Sequence, residues 1–509
     1  VFESLGNGLD LALVWVNFPL VALGVIVGVT FAAIPGLTGP VAITLLLPFT
    51  YFLSPVAAMG LLLGAYKGTM FGGSISAITF GIPGDSPATA TLLDGYPMSA
   101  RHHKPYRAMY TALYSSVAGN LIADLVVIFT FVPMGMASLA FGPRELFALM
   151  CLAMTTLLLF AEGGIYKAVI GAMIGFFLAS IGTDPIVNLP RLSFGIRQLE
   201  SGIPLVPFAV GLFALTEMLV QYRSCFARKV EALGSDFADI AKLIRHRLPE
   251  DKLSVREWLT YWREVLIGSG IGVFLGALPG PGGTMSAFTS YAVSSRLAKN
   301  KGKFGTGVPE GVAAAESGNS ATVGPTLIPL FAFGIPGSGT AGIFMGAFMM
   351  QGITPGPALF TDHVDVMLAV FMLMLVGTFF NLIISKLALI PIFARMGLVH
   401  PRILVPVLVP MMVLGMYAMS IRPFDVVVMV GAGILGLGMR HWKIPFAPTL
   451  VAFMIGPLFE KQFKRALILS GGDPTYWFSS PIALALYATA IVVAAILLLR
   501  RNRQPRVSA

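Results

Sequence analysis

The chain has 509 residues, of which 56% are hydrophobic and only 11% charged, and its mean hydropathy is +0.83. So few charges cannot cover the outside of a water-soluble fold of this size, which excludes that class and points to a helical protein with several membrane spans. The formal charge of +10 gives no support to nucleic-acid binding, because the basic residues gather in loops and tails; the clusters Arg101 to Arg107, Arg223 to Arg263, Arg296 to Lys303 and Arg500 to Arg506 read as cytoplasmic.

In chain order, apolar runs able to span, each needing about 20 residues, fall near 11–31, 108–132, 145–161, 165–182, 203–221, 265–278, 364–394, 403–421, 424–439 and 482–499. Shorter pieces broken by Gly and Pro occupy 38–98 and 284–353. The expected fold class is therefore an all-α polytopic membrane protein with roughly 10–14 membrane segments, some of them re-entrant. The first run lacks a basic leader and a cleavage site and reads as a permanent span. Cys151 and Cys225 lie in a span and at a span end, which argues against a disulfide framework.

Two segments recur. Val27 to Gly36 aligns with Ile271 to Gly280 at an offset of 244 residues, matching Gly28, Val29, Ala33, Pro35 and Gly36, and Gly39 with Gly283. Phe80-Gly81-Ile82-Pro83-Gly84 returns letter for letter at Phe333-Gly334-Ile335-Pro336-Gly337, at an offset of 253, so the second half carries nine extra residues between its breaks. Chance similarity among Gly-rich apolar segments is the bland alternative to duplication. Charge then orients the copies. The first half has no basic residue around Phe52 to Pro55, where the second carries Arg296, Lys299, Lys301 and Lys303. After the second break the pattern reverses, with Arg101, Lys104 and Arg107 against Thr361-Asp362-His363. Equivalent loops on opposite sides make two inverted-topology repeats, an arrangement suited to alternating access. The expected division is residues 1–221 as the first half, 222–264 as a cytoplasmic interfacial linker, 265–480 as the second half and 481–509 as a last span with a basic cytoplasmic tail. Within the linker, Phe237, Ile240, Leu243 and Ile244 recur at helical spacing.

Pro removes a backbone donor and Gly tolerates angles closed to other residues, so a helix should end at each Pro-Gly, and a broken helix at membrane depth must face protein or water. Pro87 suits the first position of a new helix with Asp85 or Ser86 as its cap, and the amides of that helix start suit a carboxylate. Ser338-Gly339-Thr340 repeats the design in the second half.

Gly64 to Ser76 is a run of small residues that close helix packing explains, except for Lys67, which at membrane depth should face a cavity or a partner. A substrate carboxylate or Glu316 is the expected partner, with snorkelling as the alternative. Lys67 corresponds by offset to Ser320 within Glu316-Ser317-Gly318-Asn319-Ser320. The expected substrate-binding residues are Lys67, Ser74, Gly81, Gly84, Asp85, Ser86, Asn319, Ser320, Gly337, Ser338 and Thr340, and the expected cation ligands Ser74, Ser76, Glu316, Asn319 and Ser338. A structural network of interhelical hydrogen bonds is the competing account of these polar groups. Asp124 and Glu217 read as packing or interfacial acids. No G-x-x-x-x-G-K-[ST] run is present, and all six histidines fall in loops or near span ends, so an enzyme is the weaker class and neither catalytic residues nor a cofactor are expected.

At these residues the chain resembles the TctA family, the large membrane subunit of tripartite tricarboxylate transporters, over nearly its full length. The resemblance is carried by Pro35-Gly36, Phe71-Gly72-Gly73-Ser74, Pro83-Gly84, Asp94-Gly95-Tyr96-Pro97-Met98, Glu310-Gly311-Val312-Ala313-Ala314, Gly334-Ile335-Pro336-Gly337 and Gly352-Ile353-Thr354-Pro355-Gly356-Pro357. It implies carboxylate uptake across a bacterial inner membrane coupled to an ion gradient, Na⁺ or H⁺. It also implies a small TctB-like membrane subunit and a periplasmic TctC-like solute-binding protein. The chain departs from the family pattern at Lys67, where a second aromatic is expected after Tyr66, at Gly81 in place of Asn, and at Asn319-Ser320 in place of Asn-Asn. The resemblance thus implies an organic anion rather than citrate in particular. A passive channel or a structural membrane scaffold is the alternative class.

Overall fold

A computed structural model describes residues 2–34, 37–161, 164–184, 186–187, 189–227, 253–298, 301–396 and 401–502. The expected helix around Phe237 to Ile244 and the break at Pro35-Gly36 lie outside them. In chain order the helices are α1 (Phe2–Ala12), α2 (Asn17–Ala32), α3 (Gly39–Thr50), α4 (Pro55–Phe80), α5 (Ala88–Ala100), α6 (Pro105–Leu139), α7 (Pro143–Phe160), α8 (Ile165–Ala179), α9 (Leu205–Val210) and α10 (Thr216–Ala227). There follow α11 (Val255–Trp258), α12 (Trp262–Ala277), α13 (Gly282–Leu297), α14 (Pro309–Ser320), α15 (Val323–Thr326), α16 (Ile328–Phe333) and α17 (Gly339–Met350). The last are α18 (Val364–Ile384), α19 (Ile390–Met396), α20 (Pro401–Ser420), α21 (Pro423–His441), α22 (Phe446–Ser470) and α23 (Pro481–Asn502). Among the described residues the sheet content is one two-stranded ribbon, β1 (Gly182–Thr183) antiparallel to β2 (Pro190–Arg191).

Among the described residues four stretches are long and apolar enough to cross a membrane, Pro105–Phe131, Pro143–Phe160, Val364–Phe393 and Pro423–His441, with a fifth if the pair Gly6–Ala12 and Asn17–Ala32, bent by 60°, counts as one span. Six further apolar helices are shorter, among them Gly39–Thr50 and Gly339–Met350. The higher number expected from the sequence includes these pieces; Gly39–Thr50 and Gly339–Met350, of 12 residues each, are too short to cross alone.

The helix ends follow the repeat. α4 stops at Phe80 and α16 at Phe333, each capped by a glycine in the left-handed region, Gly81 and Gly334, both at φ +69°. An L side chain there would meet its own carbonyl, so glycine is the residue this cap requires. α4 runs unbroken for 26 residues, whereas the equivalent stretch of the second half is divided into α14, α15 and α16, with Pro325 and Pro329 in its interior. Proline lacks the amide needed to continue the ladder, which accounts for the difference.

Small residues set the closest helix contacts. A Cβ on Gly28 would lie 2.1 Å from the Ala65 carbonyl oxygen, and one on Gly64 2.3 Å from that of Val21, so α2 and α4 meet backbone to backbone. In the second half Gly268 and Gly272, at the offset positions of Gly24 and Gly28, abut the Ala314 and Gly318 carbonyls in the same way. The close-packing account of the Gly-rich run therefore holds. From the linker, α11 packs onto α6 through the Arg107–Glu257 ion pair and a hydrogen bond from the Trp258 indole to Ser115 Oγ at 3.0 Å.

Candidate functional site

The breaks gather helix starts around one cavity of about 690 Å³. Thr38 to Val41 line it from the start of α3, Asp85 to Pro87 from the start of α5, Gly280 to Met285 from the start of α13, and Ser338 to Thr340 from the start of α17. Each of these helices begins two to four residues after the glycine of a Pro-Gly. The first amides of a helix have no intrahelical acceptor and the aligned peptide dipoles make that end positive, so four such ends favour an anion between them. Two carry side-chain caps, since Asp85 Oδ1 accepts from the Ala88 amide and Ser338 Oγ from that of Ala341, both at 3.1 Å. α3 and α13 have none. The Gly280 amide donates to the Gly337 carbonyl at 2.9 Å, which ties the two breaks of the second half together.

Two exposed cations complete the lining. Arg440 ends α21 and pairs with the buried Glu217 of α10, and Lys443 follows in the turn before α22. Tyr66, Thr326 and Thr340 supply hydroxyls, while Leu157, Phe160 and Phe213 supply apolar wall. A concave site with a few polar groups converging inside it is the usual form of a small-molecule site.

Of the residues expected to bind substrate, Asp85, Ser86, Ser338 and Thr340 line this cavity. Gly81 caps α4 with its Cα against the Tyr96 ring, Gly84 donates to the Gly73 carbonyl at 3.2 Å, and Gly337 accepts from Gly280. Ser320 Oγ hydrogen-bonds Ser116 Oγ on α6 at 2.7 Å. Of the expected cation ligands, Ser76 donates to the Gly73 carbonyl at 3.3 Å and Ser338 is spent as a cap. Ser74 and Thr91 both donate to Oε1 of Glu316, and Asn319 donates from its amide nitrogen to the Met70 carbonyl at 3.2 Å.

Lys67 requires correction. Its ammonium does not meet Glu316 and does not line the cavity; it lies 2.8 Å from both carboxylate oxygens of Asp124 on α6, 2.9 Å from Thr378 Oγ1 on α18 and 3.5 Å from Asn120 Oδ1. Lys67 and Asp124 are both fully buried. A carboxylate one helix away compensates the desolvated ammonium, so neither snorkelling nor a substrate is needed to hold it there. Asp124, read from the sequence as a packing or interfacial acid, is its partner across three helices. Glu217 is likewise more than a packing acid, since it touches the cavity. Arg440 and Lys443 carried no sequence signal: basic residues at a span end read as topology markers.

Asp94, within the Asp94 to Met98 motif, is buried and organises the loop before α14. Its Oδ1 accepts from the amides of Gly305, Gly307 and Val308 at 2.8–3.0 Å, and its Oδ2 from Tyr291 at 2.9 Å.

The family model for the tripartite tricarboxylate transporter TctA family matches residues 18–451. The chain belongs to the TctA family. It is 33% identical over 506 residues to an uncharacterized 52.8 kDa protein in the TAR-I ttuC' 3' region of Agrobacterium vitis, covering 99% of this chain and 98% of that one. A second Agrobacterium vitis protein, uncharacterized and in the TAR-II ttuC' 3' region, is 37% identical over 235 residues, 46% of this chain and 97% of its own length. No solved structure matches the chain. As a TctA member the chain is a multi-pass membrane protein of a transporter family.

Proposed function

We propose that this TctA protein is the large membrane subunit of a binding-protein-dependent system that imports small di- and tricarboxylates into bacteria, driven by an ion gradient. Its place is the inner membrane, with the C-terminus cytoplasmic and the two halves as inverted repeats. Its partners are a small TctB-like membrane subunit and a periplasmic TctC-like solute-binding protein that delivers the substrate. The observation that carries this reading is the convergence of four helix starts on one cavity that also holds Arg440 and Lys443. The helix starts suit one carboxylate and Lys443, beside the Arg440–Glu217 pair, another, which favours anions with at least two carboxylates over monocarboxylates.

Coupling follows from charge. Each negative charge entering a negative-inside cell is opposed by about 2.3 kcal/mol per 100 mV, so a dianion is accumulated only with cations in excess. Na⁺ or H⁺ fills that role.

The test is uptake of a labelled carboxylate panel into proteoliposomes holding the membrane subunits with the binding protein outside, under separately imposed Na⁺ and pH gradients. Accumulation above equilibrium with either gradient is expected, and Arg440→Gln should raise the KM for dicarboxylates at least tenfold. Equilibration without accumulation would identify a passive channel, and no flux at all a scaffold.

A further inference from the structure

We propose that Oε2 of Glu316 and Oδ1 of Asn319 are two of the ligands of a sodium ion seated behind the wall of the cavity. Its part in coupling rests on the import reading above, whereas its existence does not. Both side chains belong to α14, at 0% and 2% exposure. Their other polar atoms are engaged, Glu316 Oε1 by the Ser74 and Thr91 hydroxyls and Asn319 Nδ2 by the Met70 carbonyl. Among the described residues, Oε2 and Oδ1 have no hydrogen-bond partner. Buried polar atoms are seldom left so, and a bare carboxylate oxygen is among the costliest to leave.

With Glu316 ionised, both atoms are acceptors and neither satisfies the other; a carboxyl proton shared with Asn319 Oδ1 is the competing arrangement, and an unfolding temperature that does not respond to Na⁺ would reveal it. A cation satisfies both, and hard cations take oxygen ligands. Residues i and i+3 share a helix face, about 5–6 Å apart at Cβ, close enough for the two side chains to converge on one ion. Among the described residues no basic side chain pairs with Glu316, and Lys67 is committed to Asp124. The ligand set differs from the one expected from the sequence: Ser76 and Ser338 leave it, and Ser74 and Thr91 fix the carboxylate by holding its other oxygen.

The position links ion and substrate. A Cβ on Gly283 would lie 2.3 Å from Asn319 Oδ1 and 3.4 Å from Pro87 Cγ, and both Gly283 and Pro87 line the cavity. An ion at Asn319 therefore sits one layer behind two of the helix starts that would receive the anion.

The full-length protein, purified in detergent without substrate, should be followed by thermal unfolding in NaCl, KCl and choline chloride at constant ionic strength. A ligand of the folded state raises the unfolding temperature saturably. Na⁺ should do so for the wild type, the half-maximal concentration should rise at least tenfold in Asn319→Ala and Gly283→Ala, and the response should vanish in Glu316→Gln. A wild type with no Na⁺-specific shift overturns the site, and so do variants that keep the wild-type half-maximal concentration. Gradient-driven carboxylate uptake without a Na⁺ shift overturns this site and leaves the import reading standing. A Na⁺ shift that the variants abolish supports the site even where uptake fails, and that failure counts against the import reading.

Discussion

Replacing Lys67 tests whether the buried pair holds the fold or serves transport. Its ammonium has all three protons directed at acceptors, with Asp124 taking two contacts at 2.8 Å and Thr378 one at 2.9 Å, and Thr378 in turn donates to Asp124 Oδ2 at 2.8 Å. Lys67→Met removes the cation and leaves Asp124 fully buried with the Thr378 hydroxyl as its remaining donor. Breaking a buried pair from one side costs about 3–5 kcal/mol, because the other charge stays desolvated. Replacing both charges by apolar groups of similar volume is neutral or stabilising by about 1–4 kcal/mol. Lys67→Met and Asp124→Leu should each lower the unfolding temperature and the yield of folded protein, and the double variant should recover both. The assay is a double-mutant cycle on thermal unfolding in detergent, with a coupling energy of several kcal/mol expected in favour of the double variant. Single variants that unfold like the wild type but transport poorly would refute the reasoning and return Lys67 to the transport path.

Other expectations are equally direct. Gly334→Ala places a side chain at φ +69° with its Cβ 2.7 Å from the Pro355 carbonyl, and should cost at least about 1–2 kcal/mol, whereas Gly431→Ala, with nothing within 4 Å, should be neutral or slightly stabilising; equal unfolding temperatures for the two would contradict this. Hydrogen bonds from Lys464, then from the Val187 and Ile186 amides, hold Asp184 well below the usual carboxylate range, and hydrogen bonds from Arg191, then Lys464, lower the Glu460 pKa. A depressed folded-state pKa contributes stability that is full above the unfolded value of about 4 and is lost as pH falls beneath it. The ribbon of β1 and β2 should accordingly lose hydrogen-exchange protection below about pH 4 and keep it at neutral pH; protection that does not change with pH would count against the clasp.

The sequence by itself determined the features set by local chemistry. Helices ended just before Pro83-Gly84 and Pro336-Gly337, since a missing amide and a left-handed glycine cap at Gly81 and Gly334 act within one turn whatever surrounds them. The spacing of small residues marked where backbones approach, and Gly28 and Gly272, 244 residues apart, each abut a neighbouring helix's carbonyl. Asp85 and Ser338 were readable as helix caps for the same reason. The tertiary structure alone decided which polar groups meet. Lys67 finds Asp124 57 residues on and Thr378 311 residues on, and Glu316 takes hydroxyls from two elements of the other half. The cavity acquires its cations from the last turn of α21 and the turn after it, far in sequence from any break. A buried charge needs a partner at a definite distance, and nothing in its neighbours along the chain says which of several distant groups the packing of helices will bring there.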